Sequence, residues 1–448
     1  MKIKKPVLGV IALARSTFDV PFAEEVAEKA WKNLSALDAE LIGSRQLSFD
    51  AEAVKENIER FKAEELDLLL ILQVTFTDAV MTTQLAKTVK APVLIWSFPE
   101  NRAGDRLRLN SLCGANLAGH ALGKADTPFD YLHQPADHPE ANQKILSLTK
   151  ASSVVKMLAE TRLGVIGEHP DGFDTCVYDQ EALKNWCGVT VERHKLSDFL
   201  QQAATVPESQ TEQAYRRVDR EVTNLAEMEQ EPLRKSMSVY AALKALSEKY
   251  SYQGLAVRCW PEFFTELGCA ACGAMSMMNE DQIVCGCEAD LFGVLTTLIL
   301  QWLGEAPAFM ADLVDISSKD NTGVFWHCGL APVSMADPEG EVKATVHTNR
   351  KKPFLYEFTL KPGRVTFARI SQSKNKLKMV IGGGEMVRAP MSYTGTSGVV
   401  QFDISVDQVL ENIMHECLEH HYSLSYGEHK ATLRRLADLL NIPVLEIS

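Results

Sequence analysis

No run of eighteen or more apolar residues occurs in the 448 residues of this chain, so nothing in the sequence reads as a membrane-spanning helix. Low-complexity tracts and short-period repeats are also missing, which excludes a repeat array. Positive charge is in short supply, with 46 Lys and Arg against 59 Asp and Glu and a formal net charge of -13. A nucleic-acid or anionic-membrane partner calls for a basic face, and this balance argues against both, as it does against a polyanionic substrate. The opening MKIKKPVLGVIALARS places basic residues before an apolar run, but the run is short, Arg15 interrupts it, and no small-residue cleavage site follows. A first buried strand is the expectation there, the cytoplasm the expected compartment, and reduced thiols the expected state of the ten cysteines.

What the chain does contain is ordinary globular material, 46% apolar and 23% charged, at a length that exceeds one hydrophobic core. Residues 1–160 alternate apolar strands (VLGVIALA, LDLLLILQV, APVLIWSF) with helical patterns, which predicts a parallel sheet covered on both faces. A second α/β round runs over 161–305, from RLGVIGEHP through a long helical stretch at about 209–249, broken near Pro232, to GLAVRCW and QIVCGC. From 306 to 448 the texture changes to short strands with turns between them, among them VFWHCG, FLYEFTL, GRVTFARIS and GVVQFDI. The expected fold is therefore α/β, with two Rossmann-like parallel-sheet domains followed by a β-rich, antiparallel barrel-like C-terminal domain.

The segment CAACGAMSMMNEDQIVCGCEAD, 269–290, raises the first chemical question. Cys269 and Cys272 have the spacing of half a zinc site, but Cys285 and Cys287 are C-x-C within an expected strand and would face one packed layer. Buried core cysteines fit better than a zinc site. The acids carry more information, because ligands in open α/β sheets bind beyond the carboxyl ends of strands. GLAVRCW runs into Glu262, and QIVCGC runs into Glu288 and Asp290. Helix capping accounts for Asp290 alone, since Asp is a favoured N-cap, but not for Glu262 beside Trp260. His420 and His421 open HHYSLSY, where alternation in an extended run lets only one of the pair face a site. Two carboxylates and an imidazole make a hard, O/N-rich set suited to manganese or magnesium.

These residues sit in segments that resemble the L-fucose isomerase and L-arabinose isomerase superfamily. The resemblance rests on CEADLFGVLTTLILQWLGEAPAFMADL, on WPEF, FWHCGLAP and GRVTFARIS, and on EHHYSLSYGEHKATLRRLADLLNIPVLEI. DLLLILQVTFTDAVMTTQLAKTVKAPVLIWS extends it into the first domain, so that it covers nearly the whole chain. It implies a metal-dependent aldose–ketose isomerase with Mn2+, or Mg2+ or Co2+, held by Glu262, Asp290 and His421. The two acids would also handle protons, and Glu266 or Glu288 could share the role of Glu262. Where arabinose isomerases place a further histidine, this chain has Asp315 or its neighbours, so the fucose-isomerase pattern fits better. The resemblance also implies homohexamers whose sites are completed by domain one of a neighbouring subunit, through Arg15, Thr17, Asp19 or His120.

Isomerisation moves a proton between C1 and C2 of a monosaccharide through an enediol, which one carboxylate and a cation acting as a Lewis acid can serve. Trp260, Trp326 and His327 are then candidate sugar contacts, and Arg15 a candidate partner for a carboxylate, phosphate or sulfonate on the sugar. Two other readings stand beside this one: a two-carboxylate glycosidase, which needs no metal, and a non-catalytic sugar-binding protein.

Overall fold

The computed structural model describes residues 3–102, 104 and 106–448. They fall into two compact units, Ile3–Val155 and Lys156–Ser448.

The first unit is built on a five-stranded parallel sheet of β1 (Val7–Leu13), β2 (Glu40–Ser48), β3 (Leu68–Gln73), β4 (Val93–Ser97) and β5 (Asp130–His133), in the order β2-β1-β3-β4-β5. β3 and β4 are buried at every position, as the unbroken apolar runs LLLILQ and VLIWS require when helices cover both faces. Strand order reverses between β1 and β3, and there the backbone N–H of Arg15 donates to Thr75 Oγ1 at 2.8 Å. The register of β1 against β2 shifts between Val10 and Ala12, opposite Gly43. Gly43 has φ +138°, and a Cβ built on it would stand 2.0 Å from the Val10 carbonyl oxygen.

The second unit holds two sheets. β6 (Arg162–Ile166), β7 (Thr190–His194), β8 (Gly254–Val257) and β9 (Val284–Gly286) form a four-stranded parallel sheet in the order β7-β6-β8-β9. The strands that follow are β10 (Phe309–Ser317), β11 (Thr322–His327), β12 (Lys343–Thr345), β13 (Leu355–Thr359), β14 (Gly363–Ser371), β15 (Lys378–Val387), β16 (Thr396–Phe402), β17 (His421–Tyr426) and β18 (Val444–Glu446). Antiparallel pairing runs β16-β11-β10-β17-β14-β15, and β15 pairs back to β16, so these six strands close into a barrel. Closure removes the exposed edges that an open sheet of this kind would leave. The fold class is thus α/β with two parallel sheets and a barrel-bearing C-terminal region.

A single hydrophobic cluster runs from Ile166 to Ile447, so the segments 161–305 and 306–448 share one core. The cause is the helix Leu291–Gly304, LFGVLTTLILQWLG, which is apolar all round and must be covered on every side. It packs against β8 and β9 of the parallel sheet and against β14 and β17 of the barrel. The stretch at 209–249 is two helices, Glu208–Glu221 and Gln230–Tyr250. Pro232 lies in the first turn of the second, where N–H groups have no intrahelical partner, so the break precedes the proline. No helix among the described residues is long and apolar enough to cross a membrane.

Gly43→Ala would force a strained φ and a backbone clash together. The first unit should lose about 1–3 kcal/mol, read as a lower midpoint in chemical denaturation.

Candidate active site

Asp290 ends the turn that follows β9 and caps the helix Leu291–Gly304, accepting from Gly293 N–H at 2.9 Å. Arg369 of β14 donates to both of its oxygens, and His421 Nδ1 lies 2.9 Å from Oδ2. Side chains of Asp290 and Arg369 are each 1% exposed. Burial alone would raise the Asp290 pKa, but the Arg369 charge and the His421 hydrogen bond outweigh it and hold the carboxyl well below its usual range. A carboxylate has about four lone-pair positions, and these four donors occupy them.

That arrangement sets the tautomer of His421. An ionised carboxylate only accepts, so in the neutral ring Nδ1 carries the proton and Nε2 presents a lone pair. His421 Nε2 lies 3.8 Å from Glu288 Oε2 and 3.6 Å from Asp312 Oδ1. Register accounts for part of this, since Asp312 of β10 sits directly across from His421 of β17. Asp312 Oδ1 is buried and has no hydrogen-bond partner.

Glu288 is aimed by backbone and side chains alike. Glu288 and Ala289 have φ of 58° and 54°, two successive left-handed residues at a cost of roughly 1–2 kcal/mol each. Trp260 Nε1 donates to Glu288 Oε1 at 3.1 Å, and His420 Nε2 lies 3.1 Å from Oε2. Burial works to raise the Glu288 pKa, but hydrogen bonds from His420 and the Trp260 N–H are among the contacts that lower it on balance. Burial lowers and Glu288 raises the pKa of His420, which ends above its ordinary value. His420 precedes the first residue of β17 and so escapes strand alternation. Both histidines therefore face Glu288, where the sequence pattern allowed only one.

The ligand set expected from the sequence is divided by this geometry. Glu262 follows β8 and is held by Arg258, whose Nε reaches both carboxylate oxygens at 3.1 and 3.0 Å. Burial raises the Glu262 pKa and Arg258 lowers it, with the lowering prevailing. Asp290 is spent on Arg369, His421 and the helix cap. Among the described residues, neither belongs to a group whose donor atoms converge within 4.8 Å; those groups are Asp312, His327 and His421, and Cys176, Glu288 and His421. Glu266 is exposed, and Asp315, also exposed, meets Tyr393. Asp312, which the sequence reading did not single out, lies beside His421, and an acid within the otherwise apolar FMADL is a signal of its own.

Trp260 and His327 lie at the centre, and Trp326 stacks on His327 with centroids 6.2 Å apart. His327 Nδ1 accepts the Cys328 N–H at 2.9 Å, so the neutral ring carries its proton on Nε2. Arg15 belongs to the first unit, where its guanidinium pairs with Asp78 at 2.8 Å. Asp19 there is held by Arg108 and Arg106, which bring its carboxyl down to about 2.

Two cysteine expectations are corrected. Cys287 lies in the turn after β9 and not in a strand, and it is joined to Cys259 in a disulfide. The physical reason is adjacency: β8 and β9 are paired, and both cysteines sit just beyond the strand ends with Cα atoms 5.8 Å apart. Cys272 Sγ lies 3.3 Å from Cys328 Sγ, while Cys269 and Cys285 are buried separately.

The sequence matches the fucose/sulfoquinovose isomerase N-terminal domain over residues 9–159 and the L-fucose isomerase C-terminal domain over 355–448. Sulfoquinovose isomerases of Priestia aryabhattai and Priestia megaterium (strain ATCC 12872 / QMB1551) are each 32% identical over 434 residues, spanning 96% of this chain and 97% of theirs. The sulfoquinovose isomerase of Alkalicoccus urumqiensis is 32% identical over 383 residues, 85% of this chain and 86% of its own. Fold, site and matches define a sugar isomerase, an intramolecular oxidoreductase that interconverts aldose and ketose. The chain belongs to the fucose/sulfoquinovose isomerase family.

Asp290→Asn would leave Arg369 buried without its ion-pair partner. It should lower stability by about 3–5 kcal/mol in urea denaturation, and adding Arg369→Met should restore part of the loss.

Proposed function

We propose that this isomerase depends on a divalent cation held by Glu288, Asp312 and His421, and that its substrate is a sulfonated hexose of the kind that names its relatives, sulfoquinovose. The observation that carries the cation reading is the convergence of two carboxylates on the bare Nε2 of His421, with Asp312 Oδ1 buried and unpartnered. This hard O/O/N set fits Mn2+, Mg2+ or Co2+. When bound, such a cation supplies Lewis-acid stabilisation of negative charge on the sugar oxygens.

The residues divide the remaining work. Glu288 and Asp312 are the carboxylates available to move the carbon-bound and hydroxyl protons of an enediol route. His420, 40% exposed, hydrogen-bonds Glu288 and offers a path for a proton to solvent. His327 presents an Nε2–H to oxyanion character developing on the sugar. Asp290 keeps His421 in the ligating tautomer.

Arg350 supports the sulfonated substrate. Its guanidinium lies 4.8 Å from the Trp260 ring centroid and 5.1 Å from that of Phe264, and no ion pair with a carboxylate is found for it among the described residues. A cation held beside the tryptophan that bonds Glu288 suits an anionic group on a sugar bound there. Hexameric assembly, with Arg15 supplied by a neighbouring copy, belongs to the same proposal, and light scattering of the active protein tests it.

Chelation should abolish turnover of sulfoquinovose and manganese should restore it, with deuterium entering C2 from solvent as followed by NMR. Glu288→Gln and Asp312→Asn should each cost about 100- to 10,000-fold in turnover, while Glu262→Gln stays within severalfold of the parent. Full activity in Glu288→Gln would sink the assignment. Arg350→Met should raise KM for the sulfonated sugar by about tenfold or more and leave that for a neutral hexose unchanged.

A further inference from the structure

We propose that Cys176, Glu288 and His421 form a second, thiol-bearing donor set that captures thiophilic divalent cations of the zinc and cadmium class. Cys176 Sγ, a Glu288 carboxylate oxygen and a His421 ring nitrogen all lie within 4.8 Å of one another. Ligand atoms at about 2.0–2.3 Å from one tetrahedral ion stand roughly 3–4 Å apart, so small side-chain shifts close this set around an ion.

Cys176 is part of the frame of the centre. It ends the short turn Asp174–Cys176 and is 2% exposed. The neighbouring Thr175 accepts from Arg369 through its carbonyl, and its hydroxyl lies 3.2 Å from His420 Nδ1. The turn is therefore tied to the same arginine that holds Asp290 and to the same histidine that holds Glu288.

The two donor sets differ in softness and share two members. Asp312 with Glu288 and His421 offers O, O and N to a hard cation; Cys176 in place of Asp312 offers S, O and N. Ligation by Cys176 forms one metal–sulfur bond, breaks the S–H bond and releases one proton to solvent, with no change of oxidation state. His421 and Glu288 cannot serve both ions, so zinc or cadmium competes directly with the activating cation. The inference rests on the cation reading above only through these two shared residues.

The experiment uses the full-length apo protein. Cadmium should bind the parent at one equivalent with release of a proton and with a cadmium–thiolate charge-transfer band in the ultraviolet. In Cys176→Ser and Cys176→Ala the band should vanish and cadmium affinity fall by about tenfold or more, while manganese affinity, read by electron paramagnetic resonance, stays at the parent value. A band that persists in both variants would assign the thiolate to another cysteine, such as Cys272 or Cys328, and overturn the proposal. Cadmium bound to the parent with no thiolate band would overturn it as well. Failure of manganese to bind parent or variants would overturn the cation reading instead, and the cadmium band would still decide this one.

Discussion

The buried pair of Asp290 and Arg369 is the interaction on which the rest of the centre depends. Taking two charges out of water costs several kcal/mol per ion, and the pair is tolerated because the carboxylate is saturated by four donors. Each donor comes from a different purpose. Gly293 starts the central helix, Arg369 ties that helix to barrel strand β14, and His421 receives its tautomer and orientation. One carboxylate thus couples the parallel sheet, the barrel and the imidazole of His421.

The centre lies where the carboxyl end of the parallel sheet meets the rim of the barrel. The turn after β9 holds two left-handed residues, Glu288 and Ala289, that bring Glu288 toward His421, and the barrel supplies Asp312, His327 and His421 from three adjacent strands. Neither sheet holds the set alone. The apolar helix Leu291–Gly304 makes the arrangement rigid, because both sheets must cover it. Around this core, Trp260 and His420 meet the oxygens of Glu288, and the Arg350 guanidinium lies 4.8 Å from the Trp260 ring centroid.

Much was legible from local pattern. Unbroken apolar runs such as LLLILQ marked strands covered on both faces, and the change to short strands after residue 306 marked the barrel region. Free histidines, paired acids and their place at strand ends marked the neighbourhood of the site. Which acid faces which donor depends on contacts between segments far apart in the chain, and local pattern does not carry that. Asp290 stands before a helix and caps it, as its position allowed, and it also meets an arginine 79 residues away in the sequence. Glu262 and Arg258 are four apart, a spacing that a local reading could have paired.

What the sequence by itself determined is the set of elements and the chemical class of the side chains, because periodicity, turn residues and apolar runs act over a few positions. It also determined the sign of the charge and hence the partners that were set aside. Which acids face the imidazole was decided only by tertiary structure. Pairing of β10 with β17 puts Asp312 opposite His421, closure of the barrel brings Arg369 to Asp290, and two left-handed residues redirect Glu288. Each is a relation between segments far apart in the chain, set by packing around a shared helix, and short-range pattern carries no record of it.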